Sequence, residues 1–481
     1  MLLNSFSFLA FFGVVVAVYY MLAPRLRWLL VLLASYYFYS AFEPLYTLLL
    51  AYATLVAYVF GRLVAGGKAR GGAKGLLVLG VLAELGVLAL FKYADFLLGS
   101  VEGALAPLIA ARDTLALPRL DWLLPAGLSF FTFSCVSYIV DCYRGTLAPE
   151  RHLGRLAVYV AFFPKLVAGP IERAGDFLPQ LRSGARFDRL LMIGGLQLLL
   201  WGLFKKVVIA DRLAEFVDAG FVNTAFQSPV TVLVSVYLYA FQIYCDFSGY
   251  SDMAIGMAAI LGFSLKANFL RPYLSANPAE FWSARWHISL ARWFRDYLYI
   301  PLGGSRVAPW RAYLNVMIVF AVSGLWHGAA WTFVAWGLLN GAYQVGWQVI
   351  APIRAVLNRA LPALVMCIVG IVVTFHLVAF AWIFFRADSF AGAQAVITRI
   401  WSNLGQFPML MANYNWTWEL WMAFGLIGFL VVVECFDEIR SLWSRLAAAP
   451  VALRWGVYYA LIASLVLIGS WGGAEFVYMQ F

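Results

Sequence analysis

The chain has 481 residues, and its 34 Lys and Arg residues exceed its 24 Asp and Glu residues, which gives a formal net charge of +10 at pH 7. Hydrophobic residues make up 64% of the sequence and charged residues only 12%, whereas about 25% of residues are charged in an average soluble domain. This composition argues against a soluble globular protein, a disordered chain and a disulfide scaffold. It indicates a multi-pass membrane protein. We interpret its positive charge as an excess of basic residues on the cytoplasmic face rather than as affinity for nucleic acid.

Stretches without Asp, Glu, Lys or Arg predict the membrane spans, because a helix needs roughly 17–25 residues to cross a bilayer. The basic residues that follow the first and third stretches predict that the N-terminus lies outside the cytoplasm. The five N-terminal candidates are Met1–Pro24, Leu29–Phe42, Pro44–Gly61, Gly75–Leu98 and Trp122–Val140.

Two later segments do not fit a simple crossing. Leu156–Ile171 has basic residues on both sides and contains proline and glycine, so we expect it to be re-entrant. Lys266–Arg311 carries six Arg and one Lys against two carboxylates, a local excess of +5, and is rich in aromatic residues. This pattern predicts amphipathic helices at the cytoplasmic interface.

The remaining apolar stretches bring the prediction to eleven to twelve crossings, with both termini outside. Ala312–Ile353 has 42 residues without a charge, which suffices for two spans. Met253–Leu265 has only 13, and we expect a short re-entrant piece that follows an irregular turn at Gly249. The other candidate spans are Leu190–Ala210, Val230–Asp252, Ala360–Phe385, Leu420–Val433 and Trp455–Ala474.

The sequence shows no internal repeat and no separate soluble domain, so we predict one all-α integral-membrane domain over residues 1–481. It would comprise N-terminal spans (1–143), a re-entrant and cytoplasmic segment (144–189), a core with the candidate motifs (190–350) and C-terminal spans (351–481).

Only four histidines occur, and two of them are candidates for chemistry. His327 lies deep within the 42-residue run, where an ionisable side chain is costly and therefore a functional candidate. The alternative is a neutral histidine that donates one hydrogen bond between helices. Ser323 would share its helical face, either as a partner in catalysis or bound to the backbone. His287 lies in the basic segment, where it could serve catalysis or bind lipid headgroups.

Two carboxylates are candidates for a polar tunnel. Asp246 and Asp252 would stand at the inner end of a span, where they could cap helices or line the mouth of the tunnel. No two histidines lie within helical reach of each other, and the five cysteines form no C-x-x-C pair, so we expect no metal site.

At these residues the chain resembles the membrane-bound O-acyltransferase family, and within it the alginate O-acetyltransferase branch. Weaker likeness extends through Phe91–Tyr93, Phe163-Pro164 and Ala168–Ile171. The segments that carry the resemblance are Phe247–Gly256, Asn268-Phe269, Pro272-Tyr273, Glu280–Trp282, Arg285–Leu290, Trp293–Gly304 and Gly324–Gly328.

The resemblance implies a ring of tilted helices around a central tunnel, with His327 as the catalytic residue and His287 as a second functional histidine. Further candidates for the tunnel or the substrate site are Asn268, Arg285, Trp286 and Trp326. Arg285, Arg292 and Arg295 could bind an anionic donor through its phosphates, or anchor the segment at the membrane surface.

The implied donor is acetyl-coenzyme A, with no permanently bound cofactor. The implied acceptor is an alginate-like exopolysaccharide, reached through a separate periplasmic acetyltransferase. The resemblance also implies a bacterial inner-membrane protein in contact with lipids, with both termini periplasmic. Tyr478, in an aromatic C-terminal tail, could accept the acyl group transiently, dock the exported partner or anchor the tail at the interface.

Two other functions stay open at this point. One is acylation of another envelope polymer, such as cellulose, peptidoglycan or teichoic acid. The other is a transporter or flippase, whose buried polar groups would form a permeation path.

Overall fold

The computed structural model describes residues 1–67, 72–105, 118–184, 187–440, 442–471 and 476–477. The regular structure in these ranges is helical. The α-helices in chain order are α1 Phe6–Met21, α2 Pro24–Ser40, α3 Thr47–Gly67, α4 Ala73–Leu88, α5 Ala94–Leu105, α6 Leu128–Arg144, α7 Leu153–Ala161, α8 Phe163–Leu166, α9 Ala174–Ser183, α10 Arg189–Leu203, α11 Asp211–Phe221, α12 Pro229–Ile260, α13 Pro278–Glu280, α14 Ile288–Phe294, α15 Pro309–His327, α16 Trp331–Val349, α17 Ala351–Ala360, α18 Ala363–Arg386, α19 Phe390–Trp401, α20 Phe407–Ala412, α21 Trp418–Arg440, α22 Leu442–Ala448 and α23 Val451–Ile468.

Within the described chain, six continuous helices are long and apolar enough to cross a bilayer by length and composition. The shorter apolar helices include α1 and most of α23. Together these elements make the chain a multi-pass membrane protein. The six long helices are Pro44–Gly67, Ala73–Leu105, Arg189–Phe221, Pro229–Ile260, Ala363–Arg386 and Trp418–Arg440.

The segment predicted to be re-entrant forms two short helices, α7 and α8, which meet at Phe162. They have nine and four residues, too few to cross a bilayer. Lys165 in α8 is buried with an exposed fraction of 5%, and its ammonium lies over the Tyr159 ring.

The predicted break at Gly249 is wrong, because α12 runs without interruption from Pro229 to Ile260. A Cβ atom at Gly249 would lie 2.8 Å from the carbonyl oxygen of Gly202 on α10, and one at Gly256 would lie 2.6 Å from that of Gly195. Two pairs of facing glycines therefore let α10 and α12 approach closely, as small residues do between membrane helices. Met253–Leu265 is accordingly not a separate piece, since α12 contains most of it.

The chain that follows the candidate span Leu190–Ala210 continues as helix α11. A π-helical segment, Phe204–Ala210, joins α10 to α11, so Asp211 belongs to the same long helix. This segment carries Lys205 and Lys206, both buried inside a predicted span. Lys205 pairs with Asp252, and Lys206 pairs with Asp211 and Asp246, which offsets the cost of burying the two charges.

Close packing between α15 and α16 positions the end of α15. A Cβ atom at Gly324 would lie 2.2 Å from the carbonyl oxygen of Phe333, and one at Gly337 would lie 2.2 Å from that of Phe320. A Cβ atom at Gly328, the residue after α15, would lie 2.1 Å from the Phe333 ring. Substitution at these glycines would push the two helices apart and displace the last turn of α15.

The basic segment folds as short helical pieces tied to α21 by ion pairs. Arg271 pairs with Asp437 and Glu438 at the end of α21, and Arg285 pairs with Glu280 and Glu438. The hydrogen bond to Glu438 raises the pKa of the Arg285 guanidinium above its usual value. Much of the local positive charge is therefore neutralised within the protein.

Candidate active site

His327 is the last residue of α15, and its side chain is 3% exposed. Its imidazole centroid lies 5.0 Å from the ring of Trp336 on α16 and 5.5 Å from the ring of Phe385 on α18. Trp326 packs against it at 4.9 Å. The imidazole is therefore held among aromatic rings from three helices, away from bulk water.

His287 precedes α14 and adopts left-handed backbone angles, with φ of 43°. Such a conformation is uncommon for a residue other than glycine and is found more often at functional sites. The backbone around it is fixed, because the N–H of Ile288 donates to the carbonyl of Asn268 at 2.9 Å. The side chain is 1% exposed.

The hydrogen bonds of Asn268 determine the tautomer of His287. The amide oxygen of Asn268 accepts from the backbone N–H of Ser289 at 3.2 Å and from its hydroxyl at 2.8 Å. Since that backbone N–H can only donate, the amide atom facing it must be oxygen. His287 Nδ1 lies 3.2 Å from the same oxygen and must donate to it. The lone pair of the neutral imidazole is therefore on Nε2.

The same network links four parts of the chain. Asn268 Nδ2 donates to the Ser251 hydroxyl of α12 at 3.1 Å. The hydroxyl of Ser289 on α14 accepts from the backbone N–H of Ile171 at 3.0 Å. Asn268 thus positions His287 relative to the central helix and to the segment after α8.

The two candidate histidines meet in space. Their ring centroids lie 6.4 Å apart, and Trp326 and Phe130 pack beside them. The two rings come from different elements, α15 and the turn before α14.

A cavity of about 290 Å³ lies beside His287, which forms part of its lining. Trp282 and Trp286 form part of its wall, and Arg292 and Arg295 line it as well. Residues Val316, Val319, Phe320 and Ser323 of α15 complete one side. This larger cavity therefore extends along α15 from the region of His287 toward the N-terminal half of that helix.

A second, smaller cavity of about 30 Å³ lies beyond the end of α15. His327 and Trp326 line it together with Lys92, Phe130 and residues 124–129 before and at the start of α6. The larger cavity thus borders the middle of α15 and the smaller one its C-terminal end, with His287 lining the first and His327 the second.

The structure brings most of the predicted site residues together. Trp286 and Ser323 line the larger cavity, Trp326 lines the smaller one, and Asn268 binds His287. Arg285 lies in its ion pairs and does not line the larger cavity, whereas Arg292 and Arg295 do.

The two predicted carboxylates form ion pairs and do not line the cavities. Asp246 and Asp252 both lie inside α12, so the interpretation as helix caps is wrong. Asp252 pairs with Lys205 at 2.7 Å, and Asp246 pairs with Lys206 while its other oxygen accepts from the backbone N–H of Val477 at 2.8 Å. Neither lines either cavity. Tyr478, the candidate acceptor, lies outside the described residues.

Three lysines that form contacts in the interior of the protein, Lys92, Lys205 and Lys206, were not predicted from the sequence. Lys205 and Lys206 interrupt the predicted span Leu190–Ala210, and a strict search for charge-free runs would have found them. Lys92 forms part of a segment of weak resemblance, but nothing in the sequence indicated that it contacts the end of α15.

Known proteins match this chain over most of its length. A model of the membrane-bound O-acyltransferase family matches residues 152–389. The probable alginate O-acetylase AlgI of Pseudomonas aeruginosa is 40% identical over 390 residues, which cover 80% of this chain and 72% of that protein. The probable alginate O-acetylase of Pseudomonas putida is 34% identical over 99% of both chains. The peptidoglycan O-acetyltransferase of Helicobacter pylori is 33% identical over 82% of this chain and 77% of that protein.

Proposed function

Because this chain belongs to the membrane-bound O-acyltransferase family, we propose that it takes an acetyl group from a cytoplasmic thioester and passes it across the membrane toward an exopolysaccharide. The chain is an acyltransferase and a multi-pass membrane protein. Relatives named as alginate O-acetylases support an alginate-like polymer. The proposed location is the bacterial inner membrane, with both termini in the periplasm and lipids around the helices.

The observation that carries this proposal is the adjoining histidine pair, of which His287 lines the larger cavity and His327 the smaller one. A donor on one side and an acceptor on the other could both reach a reaction centre at the two rings. In this arrangement His327 is the catalytic residue, and His287 contacts the donor.

The larger cavity suits the donor acetyl-coenzyme A. Its aromatic walls fit the apolar part of a pantetheine chain, while Arg292 and Arg295 are exposed and could bind the phosphates. The basic segment would face the cytoplasm, where this donor is found. No bound cofactor is needed for the reaction, since the thioester supplies the activated acyl group.

The chemistry is a balanced acyl transfer. His327 accepts the proton of the acceptor hydroxyl as the hydroxyl oxygen attacks the thioester carbonyl carbon. The carbonyl electron pair moves to oxygen, and the tetrahedral adduct then expels the thiolate as the C–S bond breaks. The thiolate takes the proton back from the imidazolium, so the histidine is regenerated.

On the outer side we propose a periplasmic acetyltransferase as the partner that delivers the acetyl group to the polymer. Tyr478 is the proposed transient acceptor or docking residue for it. Replacing Tyr478 with Phe should lower the acetate content of the polymer if its hydroxyl accepts the group, and an unchanged content would contradict that role.

A second candidate acceptor is peptidoglycan, which the relative from Helicobacter pylori favours. Analysis of acetate on alginate-like polysaccharide and on peptidoglycan from the same cells would separate the two acceptors. Measuring export and acetylation separately tests the transporter alternative, since loss of export with normal acetylation would support transport.

The direct test uses the purified protein in detergent with labelled acetyl-coenzyme A. We expect the wild type to bind the donor and release labelled acetyl groups, and His327→Ala to bind but not turn over. His376→Ala is the matched control, because His376 is exposed on α18 and its Nδ1 contacts the Val372 carbonyl of the same helix.

Turnover by His327→Ala at the wild-type rate would reject the catalytic role of His327. Failure of the wild type to bind or turn over acetyl-coenzyme A would contradict the proposed donor.

A further inference from the structure

Lys92 contacts the backbone at the end of the helix that carries His327. It lies in a π-helical segment, Ala89–Tyr93, between α4 and α5. Its ammonium donates to the carbonyl oxygen of Trp326 at 2.7 Å and to that of His327 at 2.9 Å. The next residue, Tyr93, donates its hydroxyl to the carbonyl of Leu325 at 3.0 Å.

These three carbonyls belong to the last turn of α15, where helical carbonyls lack partners within their own helix. A neutral donor is sufficient for such a carbonyl, as Tyr93 demonstrates at Leu325. A half-buried ammonium inside a helix long and apolar enough to span a membrane is a costly way to meet the same need. Within the described chain, no carboxylate forms an ion pair with Lys92. The charge therefore points to a role beyond that of a hydrogen-bond donor.

The smaller cavity indicates what the role of the Lys92 charge is. Lys92 and His327 both line it, so the ammonium and the imidazole border the same space. An ammonium has three N–H groups, and two are directed to the carbonyls of Trp326 and His327. The third can serve a group in the cavity.

We propose that Lys92 stabilises the negative charge that develops on the acyl oxygen during transfer at His327. This inference rests on the proposed acyl-transfer function. When the acceptor hydroxyl loses its proton to His327 and its oxygen bonds to the carbonyl carbon, the carbonyl electron pair becomes an oxyanion. The Lys92 ammonium donates a hydrogen bond to that oxyanion as the new C–O bond forms. The oxyanion re-forms the carbonyl as the C–S bond breaks and the thiolate leaves.

Such a donor is already in place before the reaction, since the two backbone carbonyls fix its position. Preorganised donors of this kind, aimed at developing charge in a site that excludes water, are among the largest contributions to catalysis. The two hydrogen bonds to α15 also keep the ammonium at a constant distance from the His327 backbone.

The test compares Lys92→Met with Tyr93→Phe, a matched control that removes a neutral donor from the same helix end. Single-turnover transfer from labelled acetyl-coenzyme A, donor binding and thermal unfolding are measured for each. We expect Lys92→Met to bind the donor about as tightly as the wild type and to slow transfer by about 10²–10³-fold. Tyr93→Phe should slow transfer by no more than about threefold, because no charge is lost.

Two further variants keep the test decisive. Lys92→Gln retains a donor for the α15 carbonyls without the charge. It should lose as much of the transfer rate as is expected for Lys92→Met, and it provides the test on its own if Lys92→Met folds poorly. Lys92→Arg keeps the charge and should recover part of the rate. Equal losses in Lys92→Met and Tyr93→Phe, or wild-type transfer by Lys92→Gln, would overturn the proposal.

The His327→Ala variant separates the two levels of inference. If it transfers at the wild-type rate, the proposed function fails. If it is inactive while Lys92→Gln transfers normally, only the role of Lys92 is rejected.

Discussion

The imidazole rings of His287 and His327 lie 6.4 Å apart, although the two residues belong to different elements and line different cavities. His287 faces the larger cavity and His327 the smaller one. The site is therefore asymmetric, and the two histidines should affect different steps of the reaction.

Alanine substitution should separate those steps. We expect His327→Ala to lower kcat by about 10²–10⁴-fold, the usual contribution of a general base, with a small change in KM. We expect His287→Ala to act mainly on KM for acetyl-coenzyme A, because its side chain lines the larger cavity, which is the proposed donor site. Steady-state kinetics on purified protein would reveal the split. Identical effects of both substitutions on kcat and KM would argue against separate roles.

Asn268 should act through His287. Asn268→Asp keeps an acceptor for His287 Nδ1 and for Ser289, whereas Asn268→Leu removes it and leaves buried donors unsatisfied. Transfer rates should therefore fall further in the Leu variant than in the Asp variant. Asn413→Leu, at an exposed position after α20, is the control and should leave transfer unchanged. Equal rates in both Asn268 variants would show that the hydrogen bond to His287 is not important.

Lys206 should be essential for the stability of the central helices. Its side chain and those of Asp211 and Asp246 are at most 5% exposed, so Lys206→Met leaves two buried carboxylates without their shared cation. Removing one partner of a buried pair costs roughly 3–5 kcal/mol. We expect a large fall in the thermal unfolding midpoint in detergent.

The matched control for Lys206 is Lys266→Met, which breaks the exposed pair with Asp176 and should cost only about 0–1 kcal/mol. A similar midpoint for both lysine variants would contradict the assigned importance of the buried cluster.

Glu150 should make stability depend on pH. Burial opposes its ionisation, but hydrogen bonds from the N–H of His152 and from the Arg182 guanidinium outweigh burial and hold its pKa below the usual value of 4.5. A carboxyl with a lowered pKa in the folded state stabilises the protein above its unfolded pKa, and this stabilisation is lost as the pH falls through the folded pKa.

Unfolding midpoints of the wild type should therefore decline below about pH 4.5 more steeply than those of Glu150→Gln. Glu215→Gln, at an exposed position in α11, should follow the wild-type curve. Parallel curves for the wild type and Glu150→Gln would exclude this contribution.

Each of the six long apolar helices overlaps a predicted span, because such a span depends on the transfer of its own residues into lipid. The 42-residue apolar run contains α16 and most of α15, and the basic segment forms short helices as its aromatic content indicated. The errors occurred where one helix touches another. Gly249 was predicted as a break, but it faces Gly202 of α10 inside a continuous helix. Asp246 was predicted at a helix end, but it pairs with Lys206 in the middle of α12.

Single motifs could identify His327 and His287 as candidates, and their resemblance to family motifs indicated the class of reaction. No local pattern could show that the two rings adjoin, that Asn268 fixes the tautomer of His287, or that Lys92 contacts the carbonyls at the end of α15. These relationships join residues that are distant in the chain, and their geometry depends on how the helices pack. Hydrophobicity is a sum over neighbouring residues and can be read along the sequence, whereas hydrogen bonds and cavities require the packed structure.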